Sequence, residues 1–254
     1  MGGELLPFFN QIFGPMTEFT DPRRIINFRT GVLGTIADLV EHLGPQQHEH
    51  GLELVRLGLT FLNDASLDMQ RHAAYLIGVI VINTATNYIT PQQLTEAVAN
   101  IAGIIPRALA VPAATPDRKD LIVQAAGAAD NAVAALVKIT ALQSALVPLD
   151  AVMAALLPNL AFRDDWQEMN NTIPYLPKLW EAAPSHCADA MPQIIFAVAN
   201  YFASSELSVN NRALLRQWVF HIGQLCPGQV EAIAAQLDGE LQQALMTNLE
   251  VATA

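Results

Sequence analysis

The first residues that could do chemistry are the histidines and carboxylates of segment 41–53, "EHLGPQQHEHGLE". Imidazole and carboxylate groups are common zinc ligands. However, the His-x-His spacing matches no standard zinc signature, and on a helix it directs the two rings to different sides. We therefore expect an exposed turn between helices, with a zinc site as the alternative. The candidate ligands are His42, His48, Glu49, His50 and Glu53.

A second candidate group combines two histidines with the only two cysteines of the chain. His186 and Cys187 begin one predicted helix, and His221 and Cys226 end the next, so an antiparallel arrangement brings the four together. Two cysteines are too few for a disulfide framework, which indicates a reducing compartment. In such a compartment we expect buried thiols rather than a metal site.

The signatures of the common enzyme classes are missing from the sequence. It contains no Gly-rich nucleotide loop, no Gly-x-Ser-x-Gly and no His-Glu-x-x-His motif. Its serine, histidine and aspartate residues form no recognisable triad. We therefore predict a protein that is not an enzyme and has no cofactor or metal ion, so its function must depend on binding surfaces.

The charge of the chain indicates which partners those surfaces favour. Thirteen Lys and Arg residues against 24 Asp and Glu residues give a net charge of -11. Such a protein repels phosphate backbones and attracts basic proteins, so we do not expect nucleic acid as a partner. The longest uncharged apolar run, 73–85, is shorter than the ~20 residues of a membrane-spanning helix. We expect a soluble protein of the cytoplasm or nucleus, without a membrane partner.

The elements that carry these residues are predicted to be helices throughout. Apolar residues recur at steps of three and four, as at Leu52, Val55, Leu59 and Leu62, and no strand-like alternation is bounded by hairpin turns. Proline, glycine and capping residues divide the chain into about a dozen helices that form about six pairs. The predicted pairs span 4–43, 46–88, 91–143, 148–183, 185–225 and 228–249.

An internal repeat relates these pairs to one another. Asn131, Asn171 and Asn211 are 40 residues apart each time, in the first turns of the second helix of a pair, and the apolar positions that follow them match. A period of about 40 residues built from two helices is the signature of HEAT and armadillo arrays, whose repeats bury their apolar faces only by stacking. We predict an all-α fold, a single right-handed α-solenoid of HEAT type over 1–254, in which the three asparagines form a ladder between repeats.

Two segments interrupt this regular pattern. The segment 106–120, "PRALAVPAATPDRKD", has three prolines and is predicted to be an inserted loop between the helices of the third pair. Pro174 and Pro177 fall inside the predicted helix 164–183 and should kink it, because each removes a backbone hydrogen bond.

Three stretches of the sequence resemble one family of helical-repeat proteins. "ADNAVAALVKI", followed by "VPLDAVMAALLPNLAFRDDWQEMNNTIPYLPKLWEAAP", is similar to the C-terminal HEAT repeats of importin-β superfamily karyopherins. Upstream, "LTFLNDASLDMQRHAAYLIGVI" resembles a helix pair of the same family. The branch it resembles is importin-4-like or importin-5-like. Asp64 and Arg71 are one residue further apart than in the usual HEAT spacing, so we do not expect them to pair.

The resemblance implies a nuclear transport receptor that moves between cytoplasm and nucleus. In that family the second helices receive cargo such as ribosomal proteins or histones, and pockets between first helices bind the Phe-Gly repeats of nucleoporins. The chain is much shorter than a karyopherin, which implies a C-terminal fragment without the repeats that mainly contact the GTPase Ran. Among the acidic residues on or beside second helices, the candidates for binding basic cargo are Asp38, Glu41, Asp130, Asp164, Asp165 and Glu168. A HEAT scaffold that organises an enzyme complex, such as a phosphatase scaffold, remains the alternative.

Overall fold

The computed structural model describes residues 2–84 and 88–250, and within these ranges the fold is all-α, without a strand. Short 3₁₀ segments join some of the helices at 44–50, 144–146, 157–159 and 173–175. The α-helices are α1 (Gly2–Glu18), α2 (Ile26–Leu43), α3 (Gly51–Phe61), α4 (Leu67–Thr84), α5 (Pro91–Ala114), α6 (Lys119–Gln143), α7 (Leu149–Leu156), α8 (Trp166–Thr172), α9 (Leu176–Ala182), α10 (Pro184–Asp189), α11 (Met191–Ala203), α12 (Val209–Leu225), α13 (Gln229–Ala234) and α14 (Gly239–Glu250).

Local sequence signals account for where several helices begin. At α5, the Thr90 side chain accepts a hydrogen bond from the backbone N–H of Gln93, the Gln93 side chain accepts one from the N–H of Thr90, and Pro91 follows as the first helical residue. Ser208 caps α12 in the same way through its hydroxyl group. These caps satisfy N–H groups that have no partner inside the helix, typically stabilising it by about 1 kcal/mol.

The prediction of an inserted loop over 106–120 is wrong, because α5 continues to Ala114 and only the short turn 115–118 precedes α6. Pro106 and Pro112 lie inside α5, where each lacks the N–H that would bond to the preceding turn. On the same helix, Ile104, Ile105 and Ala108 are buried against the core. Burial of this apolar face offsets the lost hydrogen bonds. The prediction of a loop considered the prolines and did not include this burial.

The predicted helix 164–183 is interrupted next to Pro174 and Pro177, as expected from the sequence. α8 ends at Thr172, a 3₁₀ segment follows at Ile173–Tyr175, and α9 then begins with Pro177 in its first turn. The first part of the predicted pair 185–225 likewise contains two helices, α10 and α11, with Pro192 in the first turn of the second. Proline is tolerated in a first turn because no hydrogen bond is lost there.

The centre of the molecule is α6, which packs against α4 and α5 and also touches α7, α8 and α9. The most extensive helix contact joins α4 to α6, and α2 packs on the other side of α4. Gly78 permits this close approach, since a Cβ atom at Gly78 would lie 3.4 Å from the Cα atom of Ala135. The buried run of α6 consists of small and branched apolar side chains between Ala128 and Ile139, with Asp130, Asn131 and Lys138 among them.

At the C-terminal end the contacts cross between the predicted pairs. α11 packs most extensively against α14, not against α12, which was its predicted partner in 185–225. α11 buries a broad apolar face that includes Ile195, Val198 and Tyr201. α12 buries only a narrow apolar stripe, so it covers less of that face, and Arg212 and Arg216 both donate hydrogen bonds to Asn248 of α14. Both α11 and α12 of the fifth predicted pair therefore contact α14 of the sixth.

Two helices of the described ranges are long and apolar enough to cross a membrane, judged by length and composition alone. They are Pro91–Ala114 and the longer stretch Lys119–Leu146, which includes α6. Within the second stretch, 78% of the most apolar window is buried inside the protein. A core helix of a soluble protein passes the same test, so the absence of a membrane partner stays a prediction.

Candidate functional site

An acidic cleft of about 340 Å³ opens where α2, α4, α6 and α8 meet. It contains four of the six carboxylates predicted from the sequence to bind cargo, together with two of the three repeat asparagines. The acidic cleft is lined by Gly34, Asp38, Glu41, His42, Arg71, His72, Tyr75, Asn131, Asp165, Gln167, Glu168 and Asn171.

One wall of the acidic cleft is the polar face of α2. Asp38 and Glu41 are three residues apart on this helix and so lie on the same face, while Ala37 and Val40 are buried in the core. Asp38 is exposed, and Glu41 accepts a hydrogen bond of 2.8 Å from the Tyr75 hydroxyl group of α4. Burial and the neighbouring Glu41 carboxylate raise the pKa of Tyr75, so the phenol remains a neutral donor.

Glu168, which lines the acidic cleft, belongs to a buried ion pair. The Lys138 ammonium group of α6 lies 2.5 Å from Oε1 of Glu168, with the two side chains only 1% and 5% exposed. Burial raises the pKa of Glu168, and the charge of Lys138 opposes that rise. Glu168 was predicted to bind basic cargo. Its carboxylate is buried, and desolvation of a carboxylate requires an internal counter-charge, which Lys138 supplies.

Asp165 also lines the acidic cleft, where three partners hold its carboxylate. Its Oδ2 atom accepts hydrogen bonds from Arg71 at 2.6 Å and from the Asn131 amide at 2.8 Å. Its Oδ1 atom accepts one from the backbone N–H of Glu168, which caps α8. Burial favours the neutral acid, but these donors outweigh it and lower the pKa of Asp165. Arg71 therefore pairs with Asp165 and not with Asp64, whose partner is Arg29 at 2.6 Å.

Asp130, predicted as a contact for a basic partner, does not reach the surface. It is 0% exposed, and its Oδ2 atom accepts the backbone N–H groups of Arg163, Asp164 and Asp165 at 2.9, 2.7 and 3.0 Å. Burial raises the pKa of Asp130, although these three donors oppose the rise. The side chain fixes the turn before α8 because consecutive N–H groups form a concave anion site.

The sixth predicted carboxylate, Asp164, lies in that same turn and does not line the acidic cleft. Its backbone N–H is bound by Asp130, and its side chain is partly exposed. The six predicted residues thus divide into three groups. Asp38 and Glu41 present carboxylates that form no ion pair within the described part of the chain. Asp165 and Glu168 line the cleft in internal ion pairs, and Asp130 and Asp164 belong to the supporting turn.

Two of the three repeat asparagines connect neighbouring helix pairs, but not through one another. Asn131 bonds to Asp165, whereas the Asn211 side chain donates to the backbone and side-chain oxygens of Asn170 at 2.7 and 3.0 Å. Asn171 takes part in neither connection and lines the acidic cleft instead. Asn131 also lies in the middle of α6 rather than in its first turns, because α6 begins as early as Lys119. The predicted ladder is replaced by separate bonds between unlike residues.

Sequence reasoning missed Lys138, Tyr75 and the pairing of Arg71 as parts of this site. Lys138 could have been found from the sequence, because it is the single basic residue in the apolar run 125–142. A charge buried in such a run needs a counter-charge. Nothing local identifies Glu168 as that counter-charge, 30 residues away.

The histidines first considered as zinc ligands have other partners. His50 packs its ring against Phe9 and Phe13 and bonds through Nε2 to the Asn10 side chain at 2.9 Å. His42 bonds to the backbone carbonyl of Asp38. The side chain of His48 lies outside the described residues. Among those described, no three His, Cys, Asp or Glu residues are arranged to hold a metal ion, and this includes the group around Cys187.

A second cavity of about 360 Å³ lies between α7 and the α10–α11 segment. Its interior is mainly apolar, formed by residues such as Met153, Leu157 and Pro158. At its rim, Nε2 of His186 lies 2.8 Å from Oδ1 of Asp150, so the two helices are joined across the opening. The cavity has the size and the lining for one aromatic side chain.

Neither a scan against protein-family models nor a search of curated proteins finds a match to this chain. The likeness to karyopherins therefore rests on the sequence motifs alone.

Proposed function

We propose that this protein is a nuclear transport receptor fragment of the importin-β superfamily, built as a right-handed HEAT solenoid. It binds basic protein cargo such as ribosomal proteins or histones and performs no catalysis. The observation that carries the proposal is the acidic cleft. Two of its carboxylates are balanced by Arg71 and Lys138, which leaves the charges of Asp38 and Glu41 available to a partner's ammonium or guanidinium group.

The order of helix contacts supports the solenoid. The second helices of successive predicted pairs touch in sequence, α2 with α4, α4 with α6, and α6 with α8 and α9. A stack of this kind brings side chains that are far apart in the chain onto one surface. The acidic cleft spans three such neighbours, which suits a receptor that recognises an extended basic segment of its cargo.

The cavity between α7 and α10–α11 supports the second expected partner, the Phe-Gly repeats of nucleoporins. It lies between first helices of neighbouring pairs, and its apolar lining suits a phenylalanine ring. Exposed Phe196 borders an adjoining cavity on α11. On this proposal the protein moves between cytoplasm and nucleus, and Ran is contacted mainly through repeats that this chain lacks.

The alternative is a HEAT scaffold that organises an enzyme complex, such as a phosphatase scaffold subunit. A scaffold of that kind has no need of a site for isolated basic peptides or for Phe-Gly repeats. Titration of the protein with a histone-tail peptide and with a Phe-Gly repeat peptide therefore separates the two functions. Binding of both peptides supports the receptor, and binding of neither leaves the scaffold as the better description.

The test of the cleft itself is the double variant Asp38→Asn/Glu41→Gln. It removes two charges and keeps the acceptor for Tyr75, so we expect affinity for the histone-tail peptide to fall about tenfold and its salt dependence to weaken. Isothermal titration calorimetry at two salt concentrations measures both effects. The matched control is Glu96→Gln/Asp117→Asn, which removes the same charge from exposed positions outside the cleft. Equal losses in the two variants would mean that only net charge matters.

A further inference from the structure

Arg71 lies in a recess on α6 that exists because residue 127 is a glycine. A Cβ atom at Gly127 would lie 2.9 Å from Nη1 of Arg71 and 3.0 Å from its Cζ atom. Both separations are shorter than van der Waals contact. The guanidinium group therefore rests directly on the backbone of α6, and from this position its Nη2 atom reaches Oδ2 of Asp165 at 2.6 Å.

The carbonyl of Gly127 has a second role at the same point. It accepts a hydrogen bond of 2.9 Å from the Asn131 amide, whose other bond goes to Asp165. Arg71 and Asn131 thus converge on one carboxylate oxygen, and both are placed by residue 127. His72 shows a parallel arrangement on the opposite wall, where a Cβ atom at Gly34 of α2 would lie 3.0 Å from its ring.

A side chain at position 127 would displace the guanidinium group and leave the backbone in place, because the end of an arginine side chain is flexible. Arg71 is already part of the lining of the acidic cleft, with 28% of its side chain exposed. Since Arg71, Asp38 and Glu41 line the same cleft, we expect the displaced group to move toward the carboxylates of Asp38 and Glu41. An arginine in that position would compete directly with a partner's cation.

We propose that Gly127 is a specificity determinant of the acidic cleft, since it holds Arg71 against Asp165 and so keeps Asp38 and Glu41 free for a lysine or arginine side chain of the partner. The part of this proposal that concerns binding of a basic partner rests on the proposed function. The position of Arg71 is independent of that function and can be measured without any partner.

The first experiment is the variant Gly127→Ala, with Gly31→Ala as the matched control. Gly31 is an exposed helical glycine on α2 whose added Cβ would meet nothing within 4 Å. Carbon-13 NMR titration of the Asp165 carboxyl group reports whether Arg71 still pairs with it. We expect an upward shift of the Asp165 pKa in Gly127→Ala and no change in Gly31→Ala. An unchanged Asp165 pKa in a folded Gly127→Ala protein overturns the proposal.

The second experiment measures affinity for a peptide of repeating Lys-Arg-Gly. Gly127→Ala is expected to bind about fivefold to tenfold more weakly, because one positive charge has moved close to the bound cation. In an Arg71→Gln background the same glycine change should have no effect. A loss of equal size in that background overturns the proposal, since the effect would not act through Arg71. If the unmodified protein does not bind the peptide, the proposed function fails, and the Asp165 titration still decides the role of Gly127.

Discussion

Asp130 and Asn131 are neighbours in the chain, and both are turned toward the same turn before α8. Asp130 accepts three backbone N–H groups there, and Asn131 donates to the side chain of Asp165. Neither is a free functional group, although both are polar residues in an apolar helix. Buried polar side chains require partners, and here the partners lie 33 to 35 residues further along the chain.

Asn131→Leu is predicted to change stability more than binding. The substitution removes the amide that donates to the buried Asp165 carboxylate, so the free energy of unfolding should fall by about 1–3 kcal/mol. Urea denaturation measures the loss, and affinity for a basic peptide should remain within a factor of about three. Asn171→Leu, at a half-buried position lining the same cleft, is the control and should cost less stability. Intact stability with lost peptide affinity would reverse the assignment.

At the scale of elements, α4 and α6 are the pair on which the site depends. α4 supplies Arg71, His72 and Tyr75, and α6 supplies Asn131 and the buried Lys138 that pairs with Glu168. The two helices approach each other closely at Gly78. The distance between helices is set by the smallest residues at the contact.

Gly78→Val is predicted to force α4 and α6 apart. The Cβ atom alone reaches van der Waals contact with Ala135, so the two further methyl groups have no space, and the cost should be about 1–3 kcal/mol of unfolding free energy. Thermal unfolding followed by circular dichroism measures it. Gly223→Val on α12 is the control, since an added Cβ there meets nothing within 4 Å and the change in helix propensity is the same. Equal destabilisation by both variants would show that the contact is not tightly packed.

At the scale of the whole molecule, stability should depend on pH through the partly buried His72. Burial lowers its pKa below the ordinary value of 6.5, and the charge of Arg71 acts in the same direction, while Asp68, Asp38 and Asp165 oppose it. The unfolded chain therefore binds a proton at a higher pH than the folded protein does. The stabilising contribution is complete above about pH 6.5 and is lost as the pH falls through the folded pKa.

The expected result is a loss of stability between pH 7 and pH 5 that is smaller in His72→Gln than in the unmodified protein. One proton accounts for at most about 1.4 kcal/mol per pH unit. Urea denaturation at a series of pH values provides the comparison, with His221→Gln at an exposed position of α12 as the control. Identical pH profiles for the unmodified protein and His72→Gln would contradict the prediction.

The sequence by itself determined the all-helical fold and most helix positions. Apolar spacing, capping residues and proline act within one or two turns, so they are visible in the chain. It also indicated four carboxylates that do line the acidic cleft. The same local patterns led to the wrong prediction of a loop at 106–120, because the burial of one face of α5 depends on contacts with other helices.

Only the tertiary structure decided which of those carboxylates remain available. Arg71 is 94 residues from Asp165 and Lys138 is 30 residues from Glu168, and these pairings follow from how α4, α6 and α8 cross. The crossing in turn depends on glycines at the contacts, whose importance is invisible until the neighbouring helix is in place. Two acidic residues of equal appearance, Asp38 and Asp130, thus become an exposed carboxylate and a buried anchor, because desolvation and hydrogen bonding depend on the surroundings and not on the residue type.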